Sequence, residues 1–149
     1  MKISSKVECG VIALVDIELH SRDGQAVTIS NISERNQISA KYLEQILPSL
    51  RQANLIRGLK GSRGGYVIAR PSSSITLREI LNALDVTLLS DFDIHDTHGS
   101  DIRKVLHDCL WGKMAQYLQS FAQNITLSDI VAYYSEFLLS SSPEPMYYI

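Results

Sequence analysis

Two short apolar runs, Leu55-Ile56-Arg57-Gly58-Leu59 and Tyr66-Val67-Ile68-Ala69, flank the segment Lys60-Gly61-Ser62-Arg63-Gly64-Gly65. The runs read as strands, and the segment between them as a narrow, glycine-rich, basic hairpin tip. One hairpin is all the sheet this chain offers, so the remaining core must be helical. The tip is not a nucleotide-binding loop. It lacks the Gly-Lys-Ser/Thr ending, and a strand follows it where a dinucleotide site needs a helix.

Helical patterns lie on both sides of the hairpin. Residues 5–20 place Val7, Val11, Ile12, Leu14, Val15 and Leu19 on apolar faces without strict alternation, and the run is too long for a typical strand. Ser21 to Gln25 reads as a turn. Thr28 caps a short helix ending near Arg35, Asn36-Gln37 make a turn, and Ser39 caps the next helix. In that helix Leu43, Ile46, Leu47 and Leu50 fall at i, i+3, i+4 and i+7 and form a core face. Pro48 in mid-helix removes a donor and predicts a kink or a cost of roughly 3 kcal/mol.

Pro71 and Ser72-Ser73-Ser74 read as a linker, and Thr76-Leu77-Arg78-Glu79 as a capping box opening a helix to about Leu84. Residues 86–100 read as irregular and acidic. From Ile102 a long amphipathic helix carries Val105, Leu106, Cys109, Leu110, Met114, Tyr117, Leu118 and Phe121 on one stripe. Thr126 and Asp129, a capping box with Asp for Glu, open a last helix striped by Leu127, Ile130, Val131, Tyr134, Phe137 and Leu138. Ser140 to Pro145 then releases a short apolar tail, Met146-Tyr147-Tyr148-Ile149.

The expected fold is mostly α with a small two-stranded β wing. A winged helix-turn-helix occupies 1–71, and a connecting helix with an acidic loop 72–100. A dimerisation helix and a C-terminal helix fill 101–140, and a flexible tail 141–149. No apolar run approaches the roughly 18 residues that span a bilayer. The acidic residues Glu8, Asp16 and Glu18 soon after the start are unlike a signal peptide, so a cytoplasmic location is expected. Cys9 and Cys109, far apart, exclude a disulfide framework and fit free thiols.

The net charge of −2 hides a split. Residues 1–71 hold ten Lys or Arg against six Asp or Glu; residues 72–149 hold four against ten. The basic half therefore suits an anionic partner. The element order suits double-stranded DNA. A helix entering the major groove presents its first residues to base edges, here Ser39, Ala40, Lys41, Tyr42, Glu44 and Gln45. At the hairpin, Gly64 and Gly65 let the backbone approach phosphates, while Lys60, Ser62 and Arg63 supply charge and hydroxyl. Lys2, Ser4 and Lys6, ahead of the first helix, are further phosphate contacts. No Ser/His/Asp or Cys/His arrangement, paired carboxylate site or cofactor loop stands out, so an enzyme is not expected.

Several stretches are similar to one family. Ile32-Ser33-Glu34-Arg35, Ile38-Ser39, Tyr42-Leu43-Glu44-Gln45-Ile46-Leu47 and Leu50-Arg51 resemble the Rrf2 family of bacterial transcription regulators. So do Lys60 to Tyr66, Ile75 to Ile80 and the opening Met1 to Lys6. The likeness is dense over residues 1–85 and loose beyond. It implies a homodimer reading a palindromic operator, with the helix near 102–122 packed on its mate through Val105, Leu106, Cys109, Leu110, Met114, Tyr117 and Leu118.

The iron–sulfur branches of that family place three cysteines before the long helix, whereas residues 86–104 hold none. Another branch uses ligands in the first helix and the helix-turn-helix. Glu8 and Cys9 match it, but Ile12 and Ser33 stand where a cysteine and a histidine are needed. No cluster and no other cofactor is therefore expected. The tail Tyr147-Tyr148-Ile149 resembles that of the family's cluster-free cysteine-metabolism repressors. That likeness implies a repressor partnered by cysteine synthase through its C-terminus. An alternative is a metal- or redox-sensing regulator of the same fold using His95, His98 or Cys109. The plainer reading of those residues is a solvated acidic loop, with Cys109 and Cys9 packed in the core.

Overall fold

The computed structural model describes residues 2–90 and 98–141. Helix α1 (Ser5–His20) is capped by Ser4, whose hydroxyl accepts from the Val7 amide at 3.2 Å. Helix α2 (Ile29–Asn36) starts at a reciprocal box. The Thr28 side chain accepts from the Asn31 backbone, and the Asn31 side chain accepts from the Thr28 amide. Gln37 then takes the left-handed conformation, with φ of 55°, and turns the chain into α3 (Ala40–Gln52). Ser39 caps α3 by accepting from the Tyr42 amide at 3.0 Å.

Pro48 neither breaks nor ends α3. It and Glu44, the residue whose carbonyl it leaves without a helical donor, are both exposed, so water can satisfy that carbonyl. Leu43, Ile46, Leu47 and Leu50 are all buried, as their spacing requires.

Strands β1 (Ile56–Leu59) and β2 (Gly65–Ile68) pair antiparallel, with Ile56 opposite Ile68 and Leu59 opposite Gly65. Val27, just ahead of α2, adds a bridge the sequence did not signal. Its amide donates to the Tyr66 carbonyl at 2.8 Å, and the Tyr66 amide donates back at 2.7 Å. Ser72–Ser74, expected as a linker, form a 3-10 turn.

Helix α4 (Leu77–Leu84) begins at the expected box of Thr76 and Glu79. Beyond the segment 91–97, α5 (Asp101–Leu106) is capped by Ser100 and runs through a π turn (His107–Trp111) into α6 (Gly112–Asn124). The expected long helix is thus one rod interrupted by one wide turn. Helix α7 (Leu127–Ser141) starts at the box of Thr126 and Asp129. The starts of α4 and α7 lie side by side. The Leu77 amide donates to the Ile125 carbonyl and the Leu127 amide to the Ile75 carbonyl, each at 2.8 Å.

One apolar core joins these elements. It runs from Val7, Leu14 and Ile17 of α1 through α3 and α4 to Ala122 of α6 and Leu127 and Val131 of α7. Gly10 lets α1 approach α4; a Cβ there would stand 2.5 Å from the Leu84 methyl groups. Asp16 is the buried charged residue of this core, with its side chain 4% exposed. Its two oxygens accept from Arg35 Nε at 2.9 Å and Nη2 at 2.7 Å, and from Asn36 Nδ2 at 2.9 Å. Burial alone would raise the Asp16 carboxyl, but the hydrogen bonds from Arg35 and Asn36 outweigh it and hold the group below its ordinary range.

Removing Arg35 leaves that carboxylate buried and unpaired, so Arg35→Ala should cost about 3 kcal/mol in urea unfolding. Asp16→Asn should cost less, because the Arg35 guanidinium is partly exposed and can reach water. Since the folded carboxyl titrates below the unfolded one, its stabilising share is complete above about pH 4 and is lost as pH falls through the folded value. Wild type should therefore lose stability in acid faster than Asp16→Asn. Parallel acid-unfolding curves for the two would refute this assignment.

Candidate nucleic-acid interface

The cap and first two turns of α3 carry the expected groove-facing residues. Ser39, Ala40, Lys41, Glu44 and Gln45 are exposed, while Tyr42 is half-buried against the core. Their backbone is set from behind by the four buried side chains of α3 and, at one remove, by the Asp16 pair that ties α2 to α1. The Ser39 hydroxyl accepts from Tyr42, so its own proton remains available to a phosphate or base. The same holds for Ser4, half-buried at the start of α1. Lys2 is exposed beside it and Lys6 half-buried.

At the hairpin, Lys60, Ser62 and Arg63 are exposed and Gly64 and Gly65 half-buried. Gly65 is required by two independent facts. Its φ of +146° disfavours a side chain, and a Cβ would lie 2.6 Å from the Val27 carbonyl oxygen. That contact is the bridge anchoring the wing to the body.

The opposite half of the chain exposes apolar surface. Of the stripe expected for dimerisation, Val105, Leu106, Cys109, Leu110, Met114 and Tyr117 are exposed, with Val105 at 56% and Tyr117 at 76%. Leu118 turns inward and packs on the core. Cys109, read from its place on the stripe as packed core, is instead at the surface: amphipathic spacing says which face is apolar, not whether the same chain covers it. Cys9 is half-buried, at the core margin. Helix α7 continues the surface, with Tyr133, Tyr134, Phe137, Leu138 and Leu139 all exposed. Two open grooves of about 510 and 380 Å³ flank α1, both lined by Val11 and Ile12; the smaller is apolar, while the larger also meets Asp16, His20, Arg35 and Asn36.

His98 is exposed, and its carbonyl accepts from Arg103 at 3.0 Å. His95 and the tail residues Tyr147, Tyr148 and Ile149 lie outside the described residues. Among the described residues no three His, Cys, Asp or Glu side chains gather as a metal-ligand group. No described helix is long and apolar enough to cross a membrane.

A capped helix-turn-helix followed by an anchored basic hairpin defines a winged-helix transcription regulator. The family model Rrf2, described as an iron-dependent transcriptional regulator, matches residues 3–133. The chain belongs to the Rrf2 family. The HTH-type transcriptional regulator IscR of Yersinia enterocolitica is 35% identical over 133 residues, which is 88% of this chain and 79% of that one. The structure of T. potens IscR matches with a TM-score of 0.75 at 29% identity, covering 99% of this chain and 97% of that one. CymR, the global cysteine regulator of B. subtilis, shares the fold with a TM-score of 0.74 at 24% identity, over 89% and 98%.

The family description raises iron, and the donor set here does not fit an iron–sulfur cluster held by three thiolates. The whole chain has two cysteines, one in α1 and one in the π turn. Burial, and then the neighbouring Glu8 carboxylate, push the Cys9 thiol up, away from the thiolate that ligation needs.

Substituting the two tip glycines separates strain from contact. Gly61 also has positive φ, at +110°, but a Cβ there meets nothing within 4 Å. Gly65→Ala should lower the melting temperature more than Gly61→Ala and detach the wing, read as loss of amide-exchange protection at Tyr66. Equal effects of the two would show that the Val27 contact is immaterial.

Proposed function

We propose that this regulator is a homodimer that reads a palindromic operator and acts as a repressor. The observation that carries the reading is the shared exposure of the first turn of α3 and the cationic hairpin tip, each braced from behind by the core. Ser39, Ala40, Lys41, Tyr42, Glu44 and Gln45 meet base edges and adjoining phosphates in the major groove. Lys60 and Arg63 neutralise phosphates or enter the minor groove, while Ser62, Gly64 and Gly65 offer hydroxyl and backbone donors. Lys2, Ser4 and Lys6 hold a neighbouring phosphate. In this reading residues 1–71 are the DNA-binding part, 72–100 the connection and 101–140 the dimerisation part.

The exposed stripe of α5 and α6 is the dimer contact, and the grooves beside α1 receive the second copy. An apolar surface this extensive is costly to leave in water. The acidic C-terminal half keeps the dimer contact away from the polyanion.

Repression follows from occupancy, since a dimer seated on an operator excludes other proteins from it. The likeness to CymR and the tail ending in Tyr147-Tyr148-Ile149 support a role in cysteine or sulfur metabolism with cysteine synthase as partner.

Arg63→Ala should weaken operator binding and make the dependence of affinity on salt shallower by about one charge. Unchanged affinity and slope would remove the wing from the interface. Leu106→Asp combined with Leu110→Asp, both at exposed positions, should yield a folded monomer in sedimentation; a dimer would place the contact elsewhere. Deleting Ile149 should abolish calorimetric binding to cysteine synthase and leave the melting curve unchanged. No binding by the intact chain would end the partner reading.

A further inference from the structure

A polar cleft of about 600 Å³, open to solvent, lies where three parts of the chain meet. Arg22, two residues past the end of α1, Arg57 of β1 and Arg70, two residues past β2, all line it. Ser72 of the 3-10 turn and Ser128 of the first turn of α7 complete the wall, and Glu18 is its one acidic lining residue. Arg22 and Arg57 form no ion pair among the described residues. Arg70 is half committed. Its Nη2 meets Glu79 at 2.7 Å, while its Nε is buried without a partner. The hydroxyls of Ser72 and Ser128 also make no hydrogen bond among the described residues. With Arg70 paired to Glu79, two uncommitted guanidinium groups, the Arg70 Nε and spare hydroxyls face the one lining carboxylate of Glu18, so donors still exceed acceptors. The ligand that balances the site is anionic.

We propose that this cleft binds a small dianion, a phosphate ester or a dicarboxylate, one per chain. Guanidinium forks match such groups in bidentate geometry and hold charge at any physiological pH. The cleft lies by the last turn of α1, about 24 Å along that helix from the end bearing Lys2, Ser4 and Lys6. It is therefore separate from the contacts assigned at the start of α1, while Leu59 in its wall adjoins Lys60 of the wing. Its walls join the base of the wing to the start of α7, so an occupant ties the hairpin to the C-terminal helices. Binding is thereby coupled to the setting of the wing. That coupling rests on the DNA-binding reading, whereas anion binding itself does not.

The test uses the full chain without DNA, titrated in a calorimeter with glycerol 3-phosphate and, separately, with succinate. At least one should bind saturably at one site per chain. Arg22→Ala and Arg57→Ala should each weaken it tenfold or more, and Arg78→Ala, an exposed arginine outside the cleft, should leave it unchanged. All three are surface positions, so melting curves should confirm folded variants. No saturable binding at millimolar concentration overturns the proposal, as does equal weakening by Arg78→Ala, which would mark diffuse charge. Loss of operator affinity in Arg22→Ala or Arg57→Ala with a shallower salt slope, and no anion binding by wild type, would assign the arginines to duplex phosphates instead. A second arm measures operator affinity with and without the bound anion at constant ionic strength. A severalfold change in wild type that vanishes in Arg57→Ala supports coupling. A saturable site with no such change overturns the regulatory half alone.

Discussion

The contact between Asp16 and Arg35 sets the geometry on which the helix-turn-helix depends. A carboxylate inside an apolar helix bundle is tolerated only when paired and hydrogen-bonded, and here one guanidinium and one amide satisfy it. Both partners come from the last two residues of α2, so the pair fastens that helix to α1 at a single orientation. From there the left-handed Gln37 and the Ser39 cap leave α3 little choice of direction. An apolar contact at the same place would allow sliding; a bidentate pair does not. The exposed first turn of α3 inherits its pose from an interaction buried behind it.

The molecule divides its labour by surface rather than by core. The core is continuous from α1 to α7, so the halves with opposite charge share one folding unit. The basic residues gather on the wing and helix-turn-helix side, and the uncovered aromatic and aliphatic side chains on α5, α6 and α7. The paired starts of α4 and α7 connect the two sides through backbone hydrogen bonds, which are stiffer than side-chain packing. A displacement of α7 must therefore be felt by α4, and through it by the helix that packs against it, α3.

Much of this was legible in the chain because the deciding residues are chemically restricted. Thr28, Ser39, Thr76 with Glu79, and Thr126 with Asp129 are caps, and few other side chains can serve at those positions. The glycines of the hairpin carried its turn in the same way, with strand ends displaced by one residue. What was not legible depends on tertiary partners. Val27 bridges Tyr66 through backbone alone, which leaves no mark on residue type. Arg35 reaches Asp16 across nineteen positions; a lone acid between Val15 and Ile17 was the available signal. Cys109 followed the apolar stripe faithfully, yet the stripe faces out, because periodicity is blind to what lies opposite. Pro48 was tolerated because its side of α3 faces water, a fact about surroundings and not about proline.

The π turn between α5 and α6 has a geometric outcome of its own. One residue beyond the ordinary helical count rotates all that follows by about 100° relative to an unbroken helix. In an unbroken helix the greasy sector after Trp111, Met114 to Phe121, would drift round the rod from the sector before His107, Ile102 to Leu106; the wide turn brings the two back into line. Together they make one straight seam, so whatever covers it need not wind around the axis.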